Sequence, residues 1–126
     1  MKINYRSGYK YQLVDTVEIF VGIFPDENIV TQFLILTTAG VLIINSGYAW
    51  DGPSGPTIDT ESGMRASLIH DAIYQLIRED KIDKSYRKTA DVLLYEICRE
   101  DGMPWWRANS WYMGVRAFGA KHTEAA

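Results

Sequence analysis

His70 and Asp71 are neighbours in one segment of helical periodicity, and Asp91 lies in the next. An imidazole among carboxylates suits two kinds of chemistry. With Asp51 added, the set Asp51, His70, Asp71 and Asp91 offers one nitrogen and several oxygens to a divalent cofactor such as Mn²⁺, Fe²⁺, Zn²⁺ or Mg²⁺. Such an ion lowers the pKa of a bound water and generates hydroxide near neutral pH. Without a metal, Asp91 orients His70 as a general base. Ser54, in a loop rich in Gly and Pro, completes the residue types of a Ser–His–Asp triad. Ser54-Gly55-Pro56 does not form the Gly-x-Ser-x-Gly elbow, however, and turn serines usually cap a helix or satisfy a loop. The backbone amides of Gly52, Ser54 and Gly55 would make an anion nest. The competing account is structural. A carboxylate fixes a buried imidazole in one tautomer without any reaction, and Arg87, one helical turn before Asp91, is placed to pair with it.

These residues need elements to hold them. Met64 to Arg78 places Ile69, Ala72, Ile73 and Leu76 on one helical stripe, with Asp59, Thr60 or Ser62 available as N-cap. Glu79 to Asp83 is a polar connection. A second helix is predicted from about Lys84 to Glu100, carrying Tyr86, Ala90, Leu93, Leu94 and Ile97 three and four apart. Asp83 or Ser85 caps its start, Gly102 suits its left-handed end, and Pro104 blocks continuation. If the two helices fold back near residues 80 and 81, His70 lies about ten residues before the bend and Asp91 about ten after it. They then occupy one level on a shared seam. His-Asp on one helix with Asp on a later one resembles the metal-dependent phosphohydrolases of the His-Asp superfamily, without their additional upstream histidine; the other histidine here is His122.

A third helix, from Pro104 to about Phe118, is expected to bury Trp105, Ala108, Trp111, Tyr112, Val115 and Phe118. Trp106 departs from that face and is the better candidate for a partner contact. Before position 58 the period is two. Tyr9, Tyr11 and Leu13 alternate with polar residues, as do Val17, Ile19 and Val21 with Glu18 and Phe20. Phe24 to Asn28 reads as a turn, and Ile29–Thr38 with Val41–Asn45 as a hairpin about Ala39-Gly40. The glycines and prolines from Gly47 to Thr57 exclude regular structure; they make either a stiff connector or a preshaped loop presenting Asp51 and Ser54.

Composition limits the function classes. The 126 residues carry a net charge of −3 and one cysteine, Cys98, read as a small buried hydrophobe. No disulfide framework or multi-cysteine zinc site is available, and a reducing compartment fits. A pI near 5.3 argues against nucleic acid as a partner. Apolar runs such as Val41–Ile44 are far shorter than a membrane span, and the opening Met-Lys-Ile-Asn-Tyr-Arg lacks the apolar core of a signal peptide.

Gly47-Tyr48-Ala49-Trp50-Asp51-Gly52-Pro53-Ser54-Gly55-Pro56 resembles the Gly-Phe-x-Thr-Asp-Gly-Ala-Ser-x-Pro loop of a small phage and prophage family of unknown function. His70-Asp71-Ala72-Ile73-Tyr74 resembles its His-Asp-x-x-Tyr helix, Arg87 to Asp91 its Arg-x-x-Ala-Asp segment, and Val115 to Gly119 its closing Val-Arg-x-x-Gly. Trp50, Pro53 and Thr57 depart from that pattern, where Thr, Ala and Arg are usual. The resemblance implies a phage or prophage accessory protein in the host cytoplasm or on the virion. It marks Asp51, Ser54, His70, Asp71, Arg87, Asp91 and Arg116 as the group to test. The expectation is one α+β domain over residues 1–126. An antiparallel N-terminal meander (1–58) packs on three C-terminal helices (59–126). Its site would be hydrolase-like, acting on a small-molecule substrate, with Arg87 or Arg116 stabilising developing negative charge. The alternative is a non-enzymatic protein whose His/Asp cluster is structural and whose Trp-rich helix meets a host or virion protein.

Overall fold

The computed structural model describes residues 2–8, 10–52 and 61–125. The fold is α+β: antiparallel strands come first and three helices follow. Two compact units divide the chain, one spanning Ile3–Asp51 and the other running from Gly52 through the helices.

The first unit has seven short strands: β1 (Tyr5–Arg6), β2 (Tyr11–Leu13), β3 (Val17–Phe20), β4 (Ile29–Val30), β5 (Leu34–Leu36), β6 (Val41–Ile44) and β7 (Ala49–Trp50). They form two antiparallel sheets, ordered β1-β2-β7 and β3-β6-β5-β4, rather than one continuous meander. Tyr9, assigned to a strand by alternation, lies outside the described residues. The period-two reading holds in β3, where Val17 and Ile19 turn inward and Glu18 and Phe20 face solvent. Leu34 and Leu36 pair with Ile44 and Leu42 across β5 and β6, and all four are fully buried. That set is this unit's apolar centre.

The stretch 29–38, which reads in sequence as one arm of a hairpin, supplies two strands. Thr31 makes the break: its backbone N–H and hydroxyl both donate to the Leu34 carbonyl, while its Oγ1 accepts from the Leu34 N–H at 3.0 Å. A local side-chain bond of this kind turns the chain before the strand can continue. Gly40 closes the β5–β6 hairpin at φ +83°, and a Cβ there would lie 2.8 Å from the Phe24 ring.

The second unit has α1 (Glu61–Arg78), α2 (Arg87–Glu100) and α3 (Trp105–Phe118). Short 3₁₀ turns precede α2 at Lys84–Tyr86 and follow α3 at Ala120–Thr123. Helix α2 thus starts later than its apolar periodicity implies. Asp83 accepts the Ser85 N–H at 2.9 Å and caps the tighter turn instead of the helix. Two proposed caps of α1, Asp59 and Thr60, lie outside the described residues; Ser62 is inside the helix.

Helix α1 is buried on almost every side, continuously from Gly63 to His70. Its first turns pack against α3 because Gly63 has no side chain; any Cβ there would collide with the Trp111 indole. Helix α2 ends as its glycine suggested. Gly102 adopts φ +100°, Gly102 N–H bonds to Arg99 O, and Met103 N–H reaches back to Cys98 O at 2.9 Å. The reading of α3 needs correction at both ends. Ala108 is buried, but Trp105 and Phe118 are 62% and 76% exposed. They are the first and last residues of the helix, where a wheel position guarantees no neighbour to pack against.

Candidate functional site

Asp91 is fully buried in α2, and four side chains from three helices surround it. His70 Nε2 lies 2.7 Å from Asp91 Oδ1, and Tyr74 Oη donates to the same oxygen at 2.6 Å. Arg116 Nη1, from α3, donates to Oδ2 at 2.9 Å. Arg87 Nη1 stands 3.7 Å from Oδ2, one turn before Asp91 on α2. Helix geometry explains the convergence. His70 and Tyr74 are one turn apart on α1, so both side chains cover the same patch of α2. The fold-back between the helices then brings Asp91 level with them.

An isolated carboxylate at such depth would be very costly; here both oxygens are engaged and two guanidinium groups balance the charge. Burial alone would raise the Asp91 pKa, but the bonds from His70, Tyr74 and Arg116 outweigh it and hold the carboxyl below its ordinary value. Burial likewise works against a charged His70, yet Asp71 and Asp91 together raise the imidazole above its usual pKa. Asp71 Oδ1 is 3.9 Å from Nδ1, an electrostatic neighbour rather than a hydrogen-bond partner. The Tyr74 phenol is pushed well up by burial and by its bond to Asp91, so it stays neutral and donates. An ionised Asp91 therefore assigns the proton to His70 Nε2 and leaves the Nδ1 lone pair as the basic position. Asp71 and Arg116, each about one-third exposed, mark the side on which the cluster meets solvent.

The other candidates divide clearly. Arg87 donates to the carbonyls of Val115 at 3.0 Å and Arg116 at 3.2 Å, so it ties the end of α3 to α2 and its donors already have partners. Asp51 follows β7 in the first unit, with an exposed side chain 3.4 Å from Lys10 Nζ. Ser54, and with it the proposed nucleophile and anion nest, lies outside the described residues. His122 is exposed and contributes its backbone carbonyl to Arg78.

Among the described residues, no group of three or more His, Cys, Asp or Glu side chains is placed to hold a metal ion. Asp91, the most buried carboxylate of the suggested set, has its oxygens facing N–H and O–H donors. Those donors fit an anion's environment and not a divalent cation's.

Sequence reasoning passed over Tyr74 as a site residue, although its spacing one turn after His70 was signal enough. It also passed over Arg65, a buried cation at the start of α1. Charge on an otherwise apolar helix face was the available clue there.

Fold and site together define an α+β protein with a buried His–Asp–Tyr–Arg network joining its three helices. The chain belongs to a family described as Protein of unknown function (DUF1353), whose model matches residues 28–115. The match takes in His70, Tyr74, Arg87 and Asp91 and stops one residue short of Arg116. Neither a curated protein nor a solved structure matches the chain.

Proposed function

We propose that the protein is a phage or prophage accessory protein carrying a small hydrolase-like acid–base centre, with His70 as base and Asp91 as its orienting carboxylate. One observation carries the reading: a fully buried carboxylate bonds His70 Nε2 at 2.7 Å while its other oxygen binds a partly exposed arginine. Perturbed ionisable groups arranged in this way are frequent at reaction sites. In the proposed step, His70 Nδ1 takes a proton from an attacking water or hydroxyl. The imidazolium so formed is stabilised by Asp91 and Asp71, and it returns the proton to the leaving group. Arg116 faces the negative charge that develops on the substrate oxygen. Its bond to Asp91 holds the guanidinium in place before substrate arrives. The resemblance of the loop and helix motifs to those of a phage and prophage family supports the origin.

Hydrolysis of chromogenic carboxylic and phosphoric esters by purified protein tests this directly. His70→Gln should lose activity by about a hundredfold or more with its melting temperature largely kept. Equal turnover by the variant and the parent chain would end the proposal.

A second reading has its own observation. Trp105, Trp106 and Met113 are exposed on α3, where the neighbouring outward positions Asn109, Ser110 and Ala117 are uncharged. Exposed aromatic and methionine side chains without charge are typical of the centre of a protein contact. On this reading α3 meets a host or virion protein and the His–Asp network only braces it.

A further inference from the structure

Tyr74 shares an acceptor with the proposed base. Its hydroxyl and His70 Nε2 both bond Asp91 Oδ1, and its ring lies against the imidazole with centroids 4.1 Å apart. One oxygen therefore fixes two groups, and the two rings limit each other's rotation. The seat of the hydroxyl is built by an absence. A Cβ on Gly119, just past α3, would lie 2.6 Å from Tyr74 Oη and 3.2 Å from Arg87 Nη1, and would press on the Val115 carbonyl oxygen. Gly119 has φ −78° and ψ −18°, torsions open to any residue, so it is not the torsions that require glycine there. Space does.

We propose that Tyr74 is a positioning residue that acts through Asp91 to hold His70 with its proton on Nε2, in a seat that Gly119 keeps open. This rests on the reading of His70 and Asp91 as an acid–base centre, but its mechanism is independent of turnover. The hydroxyl bond spreads the negative charge of Oδ1 and prevents Asp91 from turning a free lone pair toward other donors. Removing it returns charge to the oxygen that faces the imidazole. A protonated His70 then becomes easier to form, and Asp91 is held by one partner fewer.

The test is ¹⁵N-detected NMR of the His70 ring across pH 5–9 in the full chain, for the parent, Tyr74→Phe and Gly119→Ala. Tyr74→Phe keeps the ring and removes only the hydroxyl, and a thermal melt verifies the fold. The parent should show the Nε2–H form when neutral. Both variants should raise the His70 titration midpoint, by about half to one pH unit for Tyr74→Phe, the size expected from one lost hydrogen bond. A folded Tyr74→Phe protein with parental midpoint and ring shifts would overturn the proposal. Esterase measurements on the same samples separate the two claims. A shifted midpoint in a protein whose His70→Gln form hydrolyses esters normally would leave Tyr74 as positioning residue and remove the acid–base reading.

Discussion

Arg65, near the start of α1, makes a two-pronged contact with Asp101, the residue that follows α2. Its Nε donates to Oδ2 at 2.9 Å and its Nη2 to Oδ1 at 3.0 Å, and Nη2 also reaches Glu100 at 2.9 Å. The Arg65 and Asp101 side chains are 6% and 2% exposed. Removing one partner takes the two-pronged counter-charge from the other in a place water hardly reaches. Arg65→Ala or Asp101→Ala should therefore cost about 3–5 kcal/mol, whereas the apolar pair Arg65→Met with Asp101→Leu should cost much less than the two losses added. Urea denaturation of the three variants measures both quantities.

Much of this arrangement was legible in the sequence because it follows from helix geometry and local chemistry. The lengths of α1, α2 and their connection put His70 and Asp91 at one level, and Gly102 marked the end of α2. What escaped depends on how distant parts meet. Arg116 reaches Asp91 because α3 packs along α2, and no periodicity encodes that meeting, or the fit of the Trp111 indole where Gly63 has no side chain. The two sheets likewise depend on β2 pairing with β7 across the whole first unit. Trp105 follows the apolar pattern of α3, but at the helix tip it stays largely exposed.

Divalent ions test the chemistry left over from the sequence. Asp91 accepts from His70, Tyr74 and Arg116 and has no oxygen turned to an open coordination position. Thermal melts with added Mn²⁺, Zn²⁺ or Mg²⁺, and with a chelator, should therefore superimpose. A rise of several degrees with one of these ions would mean that a metal is held after all.

Helix α1 ends on a strained residue. Asp80 has φ +60°, and the Lys81 N–H bonds to Leu76 O at 2.8 Å across it, a helix end that normally carries glycine. Asp80→Gly should stabilise the protein by up to about 1 kcal/mol, since relief of the left-handed strain exceeds the added chain entropy. Chemical denaturation resolves a gain of that size. No gain would show that the Asp80 side chain compensates for its backbone.

The outer face of α3 separates from its inner face by mutation. Trp106 is 62% exposed, so Trp106→Ala should change stability by no more than about 0.5 kcal/mol. Trp111 fills the place where Gly63 has no side chain, and Trp111→Ala should cost about 3–5 kcal/mol. If Trp106→Ala destabilised as much as Trp111→Ala, Trp106 would belong to the packed interior and could not be a contact residue.

The His70–Asp91 pair also predicts how stability varies with pH, with opposite signs at the two ends. His70 has a folded pKa raised by Asp71 and Asp91, so its contribution is complete below the unfolded value of about 6.5 and is lost as pH rises through the folded pKa. Asp91 has a depressed folded pKa; its contribution is complete above the unfolded value of about 3.9 and is lost as pH falls through the folded one. Melting temperature should therefore peak between these limits and decline on either side. His70→Gln should flatten the alkaline decline and leave the acid one. Asp91→Asn should reduce both, at a cost of several kcal/mol, because Arg116 and Arg87 then face a neutral side chain. An alkaline decline that persists unchanged in His70→Gln would show that the imidazole does not gain a proton on folding, and the charged form on which the acid–base reading depends would have no support from the fold.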